Sequence, residues 1–201
     1  MNVTMHGHLR LHFQKDITAA FFPLFQKGFY FEMTTGNLQD MLCRICDLDP
    51  AALKARIQTI FLNGKPVDNL ATANIQDGDC LAFSAAMPGL VGATMRSGGI
   101  LAGFRHSISH RPADVQSNAQ GGILLIKLFN LLIKELGPRF LQQGILLDAT
   151  ELRNLLTFLS DLEWKDCTHA ELNANKISPD TLMTIAWPEA PGFVLLEVTF
   201  G

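Results

Sequence analysis

Apolar and polar residues alternate from His8 to Phe13, which is the pattern of a strand with one buried face. A second strand is predicted from Gly28 to Thr34. Apolar residues then recur at helical spacing, and we expect this helix to take Asn37 or Thr35 as its N-cap. Asp49-Pro50 is predicted to close it.

Two turn motifs organise the next thirty or so residues. Asn63-Gly64 is typical of a tight hairpin between a strand at 57–62 and the residues 65–67. Asp77-Gly78-Asp79 turns the chain into a last apolar strand at 80–85. The order is therefore β-β-α-β-β, with one helix packed across a mixed sheet.

The pattern changes after Met87-Pro88. Residues 89–103 contain five glycines and no periodicity, which is typical of a linker or a functional loop. A strand is expected at 101–110, ended by Arg111-Pro112, and a long helix, apolar almost all round, at 119–136, ended by Gly137-Pro138.

The last third combines one helix and two strand-like runs. Asp148 and Glu151 form a capping box for a helix extending to Leu159. The runs 181–187 and 193–200 flank a proline-rich turn and predict a terminal hairpin. We expect an α+β protein with a module at 1–88, a glycine-rich linker at 89–99 and a small α+β domain at 100–201, and we find no internal repeat.

Composition narrows the class of protein. The chain has 201 residues, of which 48% are apolar and 17% charged, so it is not a disordered sequence. A net charge of −3 and a pI near 6.0 give no electrostatic reason to expect nucleic acid or a membrane as partner. Four cysteines and no export signal favour a reduced, cytoplasmic protein. A mean hydropathy of +0.18 and the apolar helix favour a homodimer.

The segments Phe61–Val67 and Ile75–Phe83 resemble the sulfur carriers of molybdopterin and thiamine synthesis, in the β-grasp (ubiquitin-like) superfamily. The resemblance covers about residues 6–90 and implies a β-grasp fold that docks on a protein partner. It also implies a terminal Gly-Gly, whose carboxylate carries sulfur. The expected position holds Gly89-Leu90, and a true pair occurs only at Gly98-Gly99, inside the chain.

Arginines and glycines cluster in the segment after the module. Backbone amides and guanidinium groups together suit a phosphate or carboxylate, although a solvated edge would have the same composition. The candidate binding residues are Gly89, Arg96, Gly98, Gly99, Arg105 and His106. His110 and Arg111 lie beside them in the sequence, and no cofactor motif accompanies them.

Two further groups carry potential chemistry. Cys43 and Cys46 lie within one helix and are expected to be structural thiols, and the histidines at the start of the chain bind a metal adventitiously at most, so no metal site is expected. The sequence also contains residues that could serve an enzyme as acid or base, but no motif indicates that they lie together: Asp148, Glu151, Asp166 and His169.

Three hypotheses remain open at this point. The leading one is a non-enzymatic binding or interaction protein built on the carrier-like module. The second is a pro-form sulfur carrier that is activated by cleavage after Gly99. The third is an enzyme with a site between the two domains and an unknown reaction.

Overall fold

The protein is described by a computed structural model that covers residues 4–34, 36–111, 121–159 and 161–201. The chain divides into two compact units. Unit 1 comprises Met1–Phe29 with Gly137–Gly201, and unit 2 comprises Tyr30–Leu136. The units therefore do not follow the boundary expected between residues 88 and 100, because the N-terminal segment groups with the C-terminal one.

Within these described residues the protein is mixed α+β, with ten strands, eight α-helices and short 3-10 helices. The strands are β1 Met5–Phe13, β2 Phe29–Glu32, β3 Thr59–Leu62, β4 Lys65–Pro66, β5 Cys80–Ser84, β6 Ile123–Phe129, β7 Ile145–Leu147, β8 Cys167–Leu172, β9 Asn175–Lys176 and β10 Phe193–Phe200. The helices are α1 Phe22–Lys27, α2 Leu38–Cys46, α3 Pro50–Arg56, α4 Gly89–Met95, α5 Leu132–Gln143, α6 Ala149–Phe158, α7 Asp161–Asp166 and α8 Pro179–Met183. The 3-10 helices span Thr18–Phe21, Leu70–Thr72 and Ile100–Arg105.

Unit 2 is built on strands in the order β4-β3-β5-β6-β2. β5 and β6 are parallel, whereas β3 runs antiparallel to both β4 and β5. Leu124, Ile126 and Leu128 of β6 are fully buried, and each contributes about 1.5–3 kcal/mol by burial. Asn37 caps α2, as predicted: its side chain accepts a hydrogen bond from the Asp40 amide. The alternative N-cap, Thr35, lies outside the described residues.

Unit 1 has the strand order β7-β10-β1-β8-β9. β1 is parallel to β10 and antiparallel to β8. The predicted alternation of β1 is confirmed, because Leu9, Leu11 and Phe13 are buried. Phenylalanines fill the space beside the sheet: the rings of Phe29 and Phe140 meet edge to face with centroids 5.2 Å apart.

The two units repeat one architecture. Read from opposite ends, their strand orders match: β4-β3-β5-β6-β2 in unit 2 corresponds to β9-β8-β1-β10-β7 in unit 1. In each unit the parallel pair, β5–β6 or β1–β10, is followed on one side by two antiparallel pairings, β3–β5 and β3–β4 in unit 2 and β1–β8 and β8–β9 in unit 1. A helix capped by an Asn or Asp side chain follows the corresponding strands β2 and β7, with Asn37 before α2 and Asp148 before α6. The repeat is one of strand order and pairing, whereas the sequence itself shows no internal repeat.

The same repeat is seen in individual hydrogen bonds of the two hairpins, β3–β4 and β8–β9. Asn63 donates its amide to the Cys80 carbonyl at 2.8 Å and accepts the Cys80 amide on Oδ1 at 2.8 Å. Asn173 makes the same two bonds to His8, also at 2.8 Å each. His8 of β1 therefore occupies in unit 1 the place that Cys80 of β5 occupies in unit 2. The N-terminal strand completes the unit formed by the C-terminal residues.

This pairing changes the expected module at 1–88. The first strand was expected to join the strands that follow it, but β1 pairs with β10 and β8, and the position beside β5 is taken by β6. The helix expected to run to Asp49-Pro50 ends at Cys46, with Asp47 in a left-handed conformation, and Asp49 instead caps a second helix, α3. The layout predicted for these residues is thus not confirmed.

The long apolar helix expected at 119–136 is also wrong where the structure describes it. Residues 123–129 form β6, in which buried and half-buried side chains alternate. Asn130, at φ 56°, ends this strand, and the helix that follows, α5, runs through Gly137-Pro138 instead of stopping there. An unbroken apolar run conceals the two-residue period of a strand that is covered on both sides. In the described residues no helix is long and apolar enough to cross a membrane.

The terminal hairpin is replaced by a helix and a single long strand. Residues 179–183 form α8, capped by the Ser178 side chain, with Pro179 in its first turn. Residues 193–200 form the predicted strand, β10, but its neighbours are β1 and β7. The real C-terminal hairpin is β8–β9.

Candidate functional site

The glycine-rich segment, defined as residues 88–111, contains two helical elements that were not predicted from its sequence. It contains α4 and the 3-10 helix Ile100–Arg105, which replaces the strand expected at 101–110. Pro112, expected to end that strand, lies outside the described residues. Gly92 allows α4 to pack closely on Met87, because a Cβ at residue 92 would lie 2.0 Å from the Met87 carbonyl oxygen.

Arg105 is the buried anchor of this segment. Its side chain is 2% exposed. The Nη1 and Nη2 atoms donate to the two carboxylate oxygens of Asp68 at 3.0 and 2.6 Å, and Nη1 also donates to Ser109 Oγ at 2.7 Å. Nε donates to the Thr94 carbonyl at 2.7 Å and Nη2 to the Arg96 carbonyl at 3.2 Å. All five N–H groups are thus used, and two of them cap the C-terminal end of α4.

Asp68 also holds the predicted glycine pair. The Gly98 amide donates to Asp68 Oδ1 at 3.1 Å, and the Gly99 amide donates to the Arg96 carbonyl at 3.1 Å. Partial burial alone would raise the pKa of Asp68, but the hydrogen bonds from Arg105 and Gly98 and the charge of Arg105 lower it below its ordinary value. Gly98-Gly99 is therefore part of a bonded turn and not a free tail.

The same segment presents large apolar side chains to solvent. We call this set the apolar ridge; its members are Leu90 (75% exposed), Val91 (65%), Ile100 (102%), Phe104 (85%) and Ile108 (51%). Scattered apolar side chains on a surface are ordinary, but a group concentrated in one short segment is not. The packing of unit 2 leaves these side chains uncovered.

The other predicted residues lie around this anchor in different roles. Arg96 is exposed and donates to the side-chain oxygen of Gln58 through Nε at 2.8 Å and through Nη2. Gly89 begins α4 and is exposed, and His106 is exposed at the end of the 3-10 helix. The structure thus brings Arg96, Gly98, Gly99 and Arg105 together. It leaves Arg105 with no donor for a ligand.

A cavity of about 470 Å³ adjoins the end of the segment. Its polar lining comes from the β3–β4 turn and from residues 107–111: Asn63, Lys65, Ser107, Ser109, His110 and Arg111. Burial and the nearby Lys65 charge lower the pKa of His110, against a smaller opposite effect of Asp79. The His110 Nε2 atom is buried and has no hydrogen-bond partner among the described residues. Sequence reasoning missed Lys65, because only the fold brings it to His110.

The acid–base residues that an enzyme would need have separate structural partners. Asp148 caps α6 through the Glu151 amide, and Glu151 itself pairs with Lys27. Asp166 pairs with Lys15 at 3.0 Å. His169 pairs with Glu171 at 2.9 Å. Asp148 and Glu151 line different cavities, so the enzyme hypothesis gains no support from them.

The cysteines and histidines do not converge on a metal in the part of the chain that the structure describes, where no group of three or more His, Cys, Asp or Glu is arranged to hold one. Cys43 and Cys46 lie on α2 as free thiols; Cys46 is buried, and burial followed by Asp40 and Asp49 raises the pKa of Cys43. A raised pKa leaves the thiol protonated and unreactive at neutral pH.

Comparison of the chain with family models, with curated proteins and with solved structures finds no match.

Proposed function

We propose that the protein is a non-enzymatic binding protein, and that the apolar ridge of the glycine-rich segment is its contact surface for a protein partner. The observation that carries the proposal is the combination of exposure and anchoring in one segment. Ile100 and Phe104 are almost wholly exposed, whereas Arg105, next in the chain, is buried with every N–H group bonded.

Anchoring matters because association must overcome the entropy of ordering the contact residues. A ridge already fixed on a buried ion pair loses little further freedom when a partner covers it. Exposed apolar side chains gain about 25 cal/mol for each Å² that a partner removes from water. Large apolar side chains in a fixed arrangement are also what the centres of protein interfaces use.

The β-grasp relationship belongs to the same proposal. It is supported by the strand order of unit 2, by its parallel central pair β5–β6, and by α2 between β2 and β3. The Asn63-Gly64 hairpin that carried the resemblance forms as predicted, with φ of 51° and 76°. In this proposal the β-grasp-like unit is a scaffold for binding, with β6 in the place where the first strand was expected.

Site-specific photo-crosslinking in the native cells tests the proposal. A benzoylphenylalanine replacing Phe104 should give a discrete adduct with another protein, and Ile100→Asp in the same chain should abolish it. The matched control places the crosslinker at Phe158, which is 60% exposed on α6 in unit 1 and should give no adduct. Equal labelling at both positions, no adduct at Phe104, or an adduct of two copies of this chain would overturn the proposed partner surface.

The pro-form carrier is the alternative with a test of its own. It requires cleavage after Gly99, although the Gly98 amide is bonded to Asp68 and Arg105 holds the residues on the other side of the cut. The intact mass of the protein from its native cells decides between the two. We expect the chain to continue beyond Gly99, and a species ending there would favour the carrier.

A further inference from the structure

The cavity beside the β3–β4 turn differs in charge from three other cavities formed by the described residues. Two cationic side chains, Lys65 and Arg111, line it, and no Asp or Glu is among the described residues of its lining. Each of those three contains at least one carboxylate in its lining, Glu151, Asp68 or Asp148. This cavity therefore has an excess of positive charge that its own lining does not neutralise.

The two cations are also unengaged within the described part of the chain. Neither Lys65 nor Arg111 forms an ion pair or a side-chain hydrogen bond there. Both side chains belong to exposed residues. Asp79, whose charge acts on His110, accepts hydrogen bonds from the Asn63 side chain at 2.7 Å and from the Gln76 amide at 2.8 Å, and it forms no ion pair with either cation in the described residues. The positive charge therefore remains available to a ligand.

Neutral donors complete the lining. Ser107 contributes a hydroxyl group that can donate or accept. Ser109 Oγ is held by Arg105, and the His110 amide is fixed to the Pro66 carbonyl at 2.8 Å, so the backbone of this wall is set by the fold. The lining thus combines hydroxyl and imidazole groups on a backbone fixed by the fold with two exposed cations, and this combination suits the several oxygens of a tetrahedral anion.

The repeated hairpin of unit 1 provides an internal comparison. Leu62 pairs with Lys65 across the first turn, and Leu172 pairs with Asn175 across the second. The cation at this position is thus present in one copy of the repeat and absent from the other. A hairpin turn does not need a lysine there, so Lys65 is free to serve the cavity.

We propose that this cavity binds a tetrahedral oxyanion carrying two negative charges, such as a phosphate group. Two charges match Lys65 and Arg111, whereas a single carboxylate would leave one cation unpaired. The site goes beyond the partner surface proposed above and does not depend on it, because none of the ridge residues lines the cavity.

The test is a titration of the full chain followed by amide nitrogen–proton NMR, with inorganic phosphate, sulfate and acetate as probes at constant ionic strength. Phosphate and sulfate should give saturable shifts confined to residues 62–66 and 107–111, and acetate should bind more weakly. Lys65→Gln and Arg111→Gln should each weaken sulfate binding by about five-fold, because each removes one partly screened charge-assisted contact. The controls, Lys176→Gln and Arg56→Gln, remove exposed cations elsewhere and should leave binding unchanged.

The same spectra show whether each variant is folded, so a loss of binding cannot be mistaken for unfolding. Shifts that grow linearly without saturation, or that spread over the surface, would overturn the site. Unchanged binding in both cavity variants would overturn it as well. If acetate bound as tightly as sulfate, the proposal that the ligand carries two negative charges would be wrong.

Discussion

Replacement of Asp68 by asparagine tests whether the Arg105 anchor holds the glycine-rich segment in place. Asp68 supplies both oxygens that face the Nη atoms of Arg105, at 3.0 and 2.6 Å, and one of them also accepts the Gly98 amide. The side-chain amide of the variant removes the negative charge and replaces one acceptor by a donor. Arg105 is then left as a buried cation without a counter-charge.

The magnitude follows from the burial of the two partners. Removing one member of a fully buried ion pair costs about 3–5 kcal/mol. The Asp68 side chain is 37% exposed, so water screens part of the charge, and we reduce the expected loss to about 2 kcal/mol. Because every bond of Arg105 stays within residues 68–109, the loss falls first on local opening of residues 88–111 and not on the whole fold. An energy of about 2 kcal/mol corresponds to about thirty-fold faster hydrogen exchange there.

Hydrogen exchange followed by mass spectrometry measures this directly, peptide by peptide. The control is Glu32→Gln, a carboxylate-to-amide change at an exposed residue of the same unit. Exchange in peptides from 88–111 should accelerate in the Asp68 variant alone, and peptides from β5 and β6 should not change. Equal exchange in the two variants would refute the anchoring role of the ion pair.

The same pair makes the segment sensitive to acid. The pKa of Asp68 is lower in the folded protein than its ordinary value of 3.8, so the folded state binds the proton more weakly than the unfolded state. The ion pair therefore stabilises the segment fully above that ordinary value, and the contribution is lost as the pH falls through the folded-state pKa. We expect exchange of 88–111, corrected for its intrinsic pH dependence, to accelerate below about pH 4 in the native protein and to lack this step in Asp68→Asn.

Three further substitutions test other parts of the fold by urea denaturation. Ala174 adopts φ 63° in the β8–β9 turn, so Ala174→Gly should stabilise the protein by about 0.5–1 kcal/mol, and a loss would contradict the turn geometry. Asp148→Ala removes the bond to the Glu151 amide and should cost about 1 kcal/mol; no change would mean that the cap is unimportant. A Cβ at residue 137 would lie 2.6 Å from the buried ring of Phe25, so Gly137→Ala should destabilise by about 1–3 kcal/mol despite its better helix propensity, and a stabilised variant would exclude this contact.

Local signals in the sequence predicted local structure well. The alternation of β1, the Asn37 cap, the Asp148 cap and the Asn63-Gly64 turn all form as expected, although the carboxylate of Glu151 pairs with Lys27 instead of completing the predicted capping box. Each of these features depends on residues within a few positions of one another, so the local sequence is enough to predict it. The Ser178-Pro179 start of α8 is a signal of the same kind that was available and missed.

Pairing between distant strands could not be predicted in the same way. An alternating strand such as β1 needs a partner on each edge, but its side chains specify only which face is buried. Nothing near Leu9 indicates that it will face Leu172 and Leu196. The strand–helix error at 123–129 has the same origin, because strands covered on both faces lose the alternation that marks them.

The sequence predicted the candidate binding residues from composition, but it did not indicate which groups each residue bonds. Arg105 was expected to meet a ligand, yet its partners are Asp68 and carbonyl groups at the end of α4. Charge alone does not separate an arginine that anchors a segment from one that binds an anion; burial does, and burial depends on the fold. Lys65 was not predicted as a site residue, yet the fold places it beside His110 in the lining of the cavity.

The repeat strengthens the argument for where the function lies. Both units keep the elements that a stable sheet needs, including a capped helix and an Asn-led hairpin, and these elements serve the fold. In unit 2 the residues that connect β5 to β6 include α4 and the 3-10 helix 100–105, whereas the matching strands of unit 1, β1 and β10, come from opposite ends of the chain and have no such connection. The apolar ridge and one wall of the cationic cavity lie on this unmatched segment. The second copy of the fold does without this segment, which supports our proposal that residues 88–111 serve binding.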